Sequence, residues 1–175
     1  MSRGVRQEPI FLDDQDRKVF LSFLSEAVVR YVWRLSTYCL MDNHFHLVLD
    51  TPGANLSAGM QWLKARYAQW FNWRHGYEGH VFFRRFHSVL VESDWHFLAV
   101  VRYVLLNPVR AGLCQGPADW PWSSYRTMTS GELGPVELAS DSILSYFGHD
   151  GASARKTFAA FIESAEPFVT QGARV

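Results

Sequence analysis

Three features of the sequence predict an α+β fold whose antiparallel sheet is of the ferredoxin-like, split βαβ kind. Size and composition come first: 175 residues, 48% hydrophobic and 15% aromatic, suit a domain with a proper core and argue against disorder. Next, two strand-like runs, 32–41 "VWRLSTYCLM" and 44–51 "HFHLVLDT", are separated only by Asp42–Asn43, residue types that favour a tight turn. Finally, runs of helical period stand on both sides of this hairpin, so helices are inserted between strands.

Each element has its own signal. Residues 13–31 place apolar side chains at 20, 21, 24, 28 and 31, and Asp13 and Asp14 give an acidic, capping start. The segment 32–41 is rich in β-branched and aromatic residues, with imperfect alternation. "TPGANLS" breaks the hairpin's second arm, and Asn55 or Ser57 can cap the helix that follows. That helix runs through "AGMQWLKARYAQWFNWRHG", with Met60, Leu63, Tyr67, Trp70 and Phe71 on one face and Gly76 as its stop. Residues 80–92, "HVFFRRFHSVLVE", read as a further strand, bent near Arg84–Arg85. Residues 94–107 read as a helix capped by Ser93 or Asp94, which Pro108 should end or disturb. "DWPWSSY" at 119–125 is a turn-rich aromatic segment, and roughly 137–166 reads as two short helices around Gly148–Gly151.

Net charge is zero, which alone says nothing for nucleic acid, but its distribution is uneven. Residues 61–112 carry seven Lys/Arg against three Asp/Glu, whereas both flanks are acidic. A local basic face is what a phosphate-binding surface needs. No apolar run reaches the length that spans a membrane, and the polar "MSRGVRQEPI" shows no signal peptide. Cys39 and Cys114 form no CxxC pair and are expected as reduced thiols of a cytoplasmic protein.

Within "LMDNHFHLVLDTP", strand alternation puts His44 and His46 on one face and Phe45, Leu47 and Leu49 on the other. The two imidazoles stand about 7 Å apart along the strand, within reach of one cation. Paired surface histidines without a metal give the same pattern. In "RYVLLNP", Tyr103 and Asn107 are i and i+4 on one helix face. A phenol is a possible nucleophile and an amide carbonyl an oxygen ligand for Mg²⁺ or Mn²⁺; packing by Tyr103 and capping by Asn107 is the plainer alternative.

The segments "YCLMDNHFHLVLDTP", "RYVLLNPVRAGL" and "DWPWSSYR", in that order, resemble the single-tyrosine transposases of the HUH superfamily. The nearest likeness is to the REP-associated tyrosine transposases, or IS200-like transposases, and it extends through "PIFLDDQDRKVFL", "ANLSAGMQWLKARYAQWFNWRHG" and "GHVFFRRFHSVLVE". The resemblance implies a transposase domain over 1–112, with the histidine strand central and a catalytic helix, and a helical C-terminal extension over 113–175 packed on it. His44 and His46 would be metal ligands, Tyr103 the catalytic tyrosine, and Asn107 the polar residue that completes the metal site. The implied activity is cleavage and rejoining of single-stranded DNA beside imperfect-palindrome hairpins, with Mg²⁺ or Mn²⁺ and a 5′-phosphotyrosine intermediate. The alternative is a hairpin-binding protein of weak or lost activity. A monomer is favoured over a dimer, located in the cytoplasm with the nucleoid.

Other cations become DNA-binding candidates on this reading. Arg84, Arg85 and His87 are interleaved with Phe82, Phe83 and Phe86, a mixture that suits stacked bases and phosphates, or else a strand whose arginines reach solvent. Lys64, Arg66 and Arg74 could meet phosphates or form a solvated helix face. Arg102 and Arg110 flank Tyr103 and Asn107 and could hold the scissile phosphate or make salt bridges. Trp120 and Trp122 suit packing better than base stacking. Two departures from the family stand out. Its members usually open with a strand of the "YHVTxRG" kind beside the histidine strand; here either the start is assigned too far downstream, or another segment fills that place, or the domain is compromised. His87 stands where a lysine is common, which weakens a phosphate contact near neutral pH.

Overall fold

The structure is a computed structural model, and it describes residues 1–164. Its elements are β1 (Ser2–Arg3), α1 (Asp14–Tyr31), β2 (Arg34–Leu40), β3 (His44–Asp50), α2 (Leu56–His75), α3 (Asp94–Arg110), α4 (Tyr125–Ser130), α5 (Asp141–Leu144) and α6 (Gly151–Glu163). The fold is α+β, around a three-stranded antiparallel sheet of order β1-β3-β2, so the histidine strand is central. Among the described residues no helix is long and apolar enough to cross a membrane.

β2 is buried from Leu35 to Leu40, which explains its imperfect alternation: a strand covered on both faces needs no polar side. The pairing Leu35↔Leu49 followed by Thr37↔Val48 places a bulge at Ser36 and switches the faces beyond it. Tyr38, Leu40 and Phe45 then join α1 and α2 in the main core, with Phe20, Leu24, Leu63 and Tyr67. Cys39, Met41 and Val48 form a separate cluster on the opposite face with Val104 of α3. A third cluster joins Val101 and Leu105 of α3 to Met128, Ile143 and Phe158 of the C-terminal helices.

Helix ends follow local chemistry. Asp13 caps α1 by accepting from Asp16 N, and Gly76 closes α2 in the left-handed region. Asn55 precedes α2 but does not cap it with its side chain. That amide instead accepts from Trp33 Nε1 and donates to Tyr31 O, tying α1 to α2. α3 runs through Pro108 to Arg110, contrary to the expected break. Proline removes only one bond, near the helix end, and the last turn is held by Ala111 N and Gly112 N donating to Asn107 and Val109.

Residues 80–92 are not a strand. They run beside residues 1–5 with sparse bonds, from Val5 N to Val81 O and from Phe83 N to Arg3 O, and the Met1 and His87 main chains bond each other. A two-residue β1 is too short a template for a full ladder. Most of the segment is consequently exposed.

Arg74 donates to both Asp13 and the buried Asp16, tying the end of α2 to the start of α1, and His75 also reaches Asp16. The Arg74 guanidinium holds the Asp13 carboxyl well below its usual range. A depressed folded-state pKa gives stability that is present above the unfolded value near 4 and lost as pH falls through the folded value. Asp13→Asn keeps the cap but not the charge. It should lower stability slightly at pH 7, since solvent screens much of the pair's attraction. In urea melts the gap to wild type should narrow progressively as the pH falls below 4.

Candidate metal and nucleophile site

The turn before β3 is strapped in place. Asp42 O accepts from Ile10 N and Phe11 N, and the Asp42 carboxylate receives Arg17, a buried arginine of α1. The Arg17 guanidinium lies 5.5–5.9 Å from the rings of Phe11, Trp120 and Trp122. From this turn Phe45 enters the main core, fully buried, and strand alternation sends His44 and His46 to the other face.

The two imidazole rings are 5.0 Å apart, and the Tyr103 ring meets His46 edge-on at 5.8 Å. Val104, next to Tyr103, docks α3 on Val48, Cys39 and Met41. Asn107 lies one helical turn beyond and donates from Nδ2 to Tyr103 O at 2.9 Å, leaving Oδ1 as the amide's acceptor. The structure therefore brings His44, His46 and Tyr103 together, with Asn107 one turn from the phenol on the same helix. Arg110 places its guanidinium 5.2 Å from the Tyr103 ring centre.

Burial sets the charge state of the histidines. His46 is 5% exposed, and its pKa is lowered to about 3 by burial first, then by His44, the N-terminal amine and Arg3. His44 is lowered to about 4, again mainly by burial, with Arg3 and the N-terminal amine assisting and Asp42 opposing. Both rings are neutral at pH 7, the form that ligates metal. Among the described residues His46 Nε2 is buried with no hydrogen-bond partner, and a buried orphan nitrogen is costly unless a ligand satisfies it. Among the described residues no group of three His, Cys, Asp or Glu is placed to hold a metal; the Asn107 amide is the oxygen donor that the sequence offers beside the histidines.

The other candidates divide. Arg84, Arg85 and His87 are exposed on the segment bonded to residues 1–3, and Arg3 itself pairs with His44. These cations thus lie one chain beyond β1 from the histidines. Lys64 commits its ammonium to Arg84 O at 2.6 Å, over Phe82, and its pKa is lowered by burial; it holds the segment in place. Arg66 is exposed and stacks on Phe23 and Trp62 in the helical layer across the sheet, away from the histidines. Arg102 does not face the site. It is 5% exposed and donates to Ile162 O and Ser164 O, because its place on α3 turns it toward α6.

"DWPWSSY" has an unforeseen task. Trp120 Nε1 donates to Leu40 O, Leu40 N donates to Trp122 O, and Ser124 bonds Thr37 and Tyr38, so this stretch covers the free edge of β2. Sequence reasoning also missed the Arg17–Asp42 strap, whose partners are 25 residues apart with no local pattern to link them.

A family model described as "Transposase IS200 like" matches residues 5–106. A Haemophilus influenzae protein named for REP-associated tyrosine transposases is 24% identical over 140 residues, covering 74% of this chain and 80% of its own length. A solved structure of a REP-associated tyrosine transposase bound to a REP hairpin shares the fold. Its TM-score is 0.59 at 16% identity, over 79% of this chain and 87% of that one.

The Arg102 contacts predict a stability effect without a site effect. Arg102→Met should lose about 1–3 kcal/mol in denaturant melts, since the buried Ile162 carbonyl and the neighbouring Ser164 carbonyl lose their donor. The edge-on contact between the Tyr103 and His46 rings, read from ring-current shifts well below the melting temperature, should stay as in wild type.

Proposed function

The chain belongs to the IS200-like transposase family, and from that premise we propose that it cleaves and rejoins hairpin-bearing single-stranded DNA through a phosphotyrosine at Tyr103. The observation that carries this reading is the contact between the Tyr103 ring and buried His46, which in turn meets the partly buried His44 ring, both imidazoles being neutral. Tyr103 of α3 and the histidines of β3 converge there from distant parts of the sequence, and none of the three belongs to the main core.

In this reading His44, His46 and Asn107 would hold Mg²⁺ or Mn²⁺ beside the scissile phosphate. When bound, the ion offsets charge on the scissile phosphate and polarises it. The chain's own groups do the rest. Tyr103 Oη attacks phosphorus; the Oη–P bond forms as the P–O3′ bond breaks. The phenol gives up its proton and the departing 3′-oxygen gains one. The product is a 5′-phosphotyrosine and a free 3′-OH. Because the ester is conserved, a second 3′-OH can attack the phosphotyrosine and rejoin the strand without an external energy source. Arg110, beside the phenol, offers a donor to the phosphate.

The partner is an imperfect-palindrome hairpin of the REP kind, with the protein acting as a monomer. Arg84, Arg85 and His87 contact its backbone and the exposed Phe83 stacks on unpaired bases. Incubation with Mn²⁺ and hairpin oligonucleotides from DNA flanking its own gene tests the reading. Wild type should form a covalent protein–DNA adduct that chelation abolishes. Tyr103→Phe should reduce the adduct to background while leaving hairpin binding intact. Cleavage that survives Tyr103→Phe would contradict the mechanism, and binding without any wild-type adduct would favour the inactive-binder alternative.

A further inference from the structure

Immediately before the histidine pair stands Asn43, whose side chain has two partners. Its Oδ1 lies 2.6 Å from His44 Nδ1, and its Nδ2 donates to Gln7 O at 3.0 Å. Gln7 O is a backbone carbonyl and can only accept, so the amide's orientation is settled: nitrogen toward Gln7, oxygen toward His44. The amide oxygen in turn can only accept, so His44 Nδ1 must carry the proton. A neutral imidazole, the form that ligates metal, has one N–H. The lone pair therefore resides on Nε2.

We propose that Asn43 is a positioning residue that holds His44 in the Nδ1–H tautomer and so reserves Nε2 for a divalent cation. The cation half of this statement rests on the reading given under Proposed function; the tautomer half does not. Metal-binding histidines commonly have their second nitrogen held by a hydrogen bond that sets tautomer and ring orientation. The surroundings point the same way. Asn43 O accepts from Gly4 N at 2.8 Å, so main chain and side chain of Asn43 are both held by the segment 4–7. That segment presents Gln7 O through two consecutive non-glycine residues in the left-handed region, Arg6 at φ 53° and Gln7 at φ 65°. Such backbone costs free energy and persists where its surroundings over-determine it. On the other side, the Arg17–Asp42 pair restrains the residue before Asn43.

The test uses metal-free, ¹⁵N-labelled protein, in which long-range ¹H–¹⁵N correlations report each histidine's tautomer, followed by Mn²⁺ titration. In wild type His44 should show a protonated Nδ1 and a bare Nε2. Asn43→Ala should let the Nε2–H tautomer appear and weaken Mn²⁺ affinity about 10- to 100-fold. Asn43→Asp keeps the acceptor and loses the donation to Gln7 O; it should restore the tautomer and bring affinity back toward wild type. If Asn43→Asp behaves like Asn43→Ala, the residue serves only to hold the 4–7 segment, and the proposal fails. A wild-type His44 protonated on Nε2 would overturn it outright. If the tautomers behave as stated but wild type binds no Mn²⁺, the cation reading is what fails, and Asn43 remains the residue that sets the tautomer.

Discussion

Phe45 is driven into the core between α1 and α2, packing on Phe20 at 4.7 Å between ring centres, and because strand side chains alternate, His44 and His46 are obliged to face α3. A one-residue slip of β3 would exchange the two sets and dismantle the site. The strand cannot slip easily, since it is paired on both edges: His46 opposite Cys39 of β2, and His44 opposite Arg3 of β1. The Arg17–Asp42 strap and the Trp120–Leu40 bond hold the hairpin's turn and the end of β2. Most of what surrounds the histidines thus serves to keep one register.

The phenol reaches the imidazoles by a different route. α3 is shared between two apolar clusters, with Val104 packed toward the sheet and Val101 and Leu105 toward the C-terminal helices. Arg102 fastens that second side to the end of α6. The position of Tyr103 is accordingly set by residues beyond position 112 as well as by the sheet. Burying His46 Nε2 with no hydrogen-bond partner among the described residues is unfavourable for folding alone. It makes sense if the site is organised around a ligand that satisfies this nitrogen, consistent with local cost being concentrated where function lies.

Much of this was legible in the sequence because the signals were local. Helical spacing and Asp13 gave α1, Gly76 gave the end of α2, and Asp42–Asn43 gave the hairpin turn. Alternation placed His44 and His46 on one face, and i, i+4 spacing placed Tyr103 and Asn107 on another. What could not be read depended on tertiary partners. The stretch 80–92 has the composition of a strand, yet its neighbour is only two residues of β1, so the ladder never forms. Arg102 and Arg110 look alike beside Tyr103 and Asn107, but helical rotation turns Arg102 to α6 and leaves Arg110 on the phenol. The bulge at Ser36 and the edge covered by "DWPWSSY" are likewise set by contacts far away in the chain.

The central claim is that one cation-binding centre is built from both imidazoles, and pulsed electron paramagnetic resonance of Mn²⁺-loaded protein tests it most directly. The account predicts one bound ion per chain with hyperfine coupling to two imidazole nitrogens, falling to one in His44→Ala or His46→Ala. Unaltered coupling in both variants, or a bound ion with no nitrogen coupling at all, would contradict it.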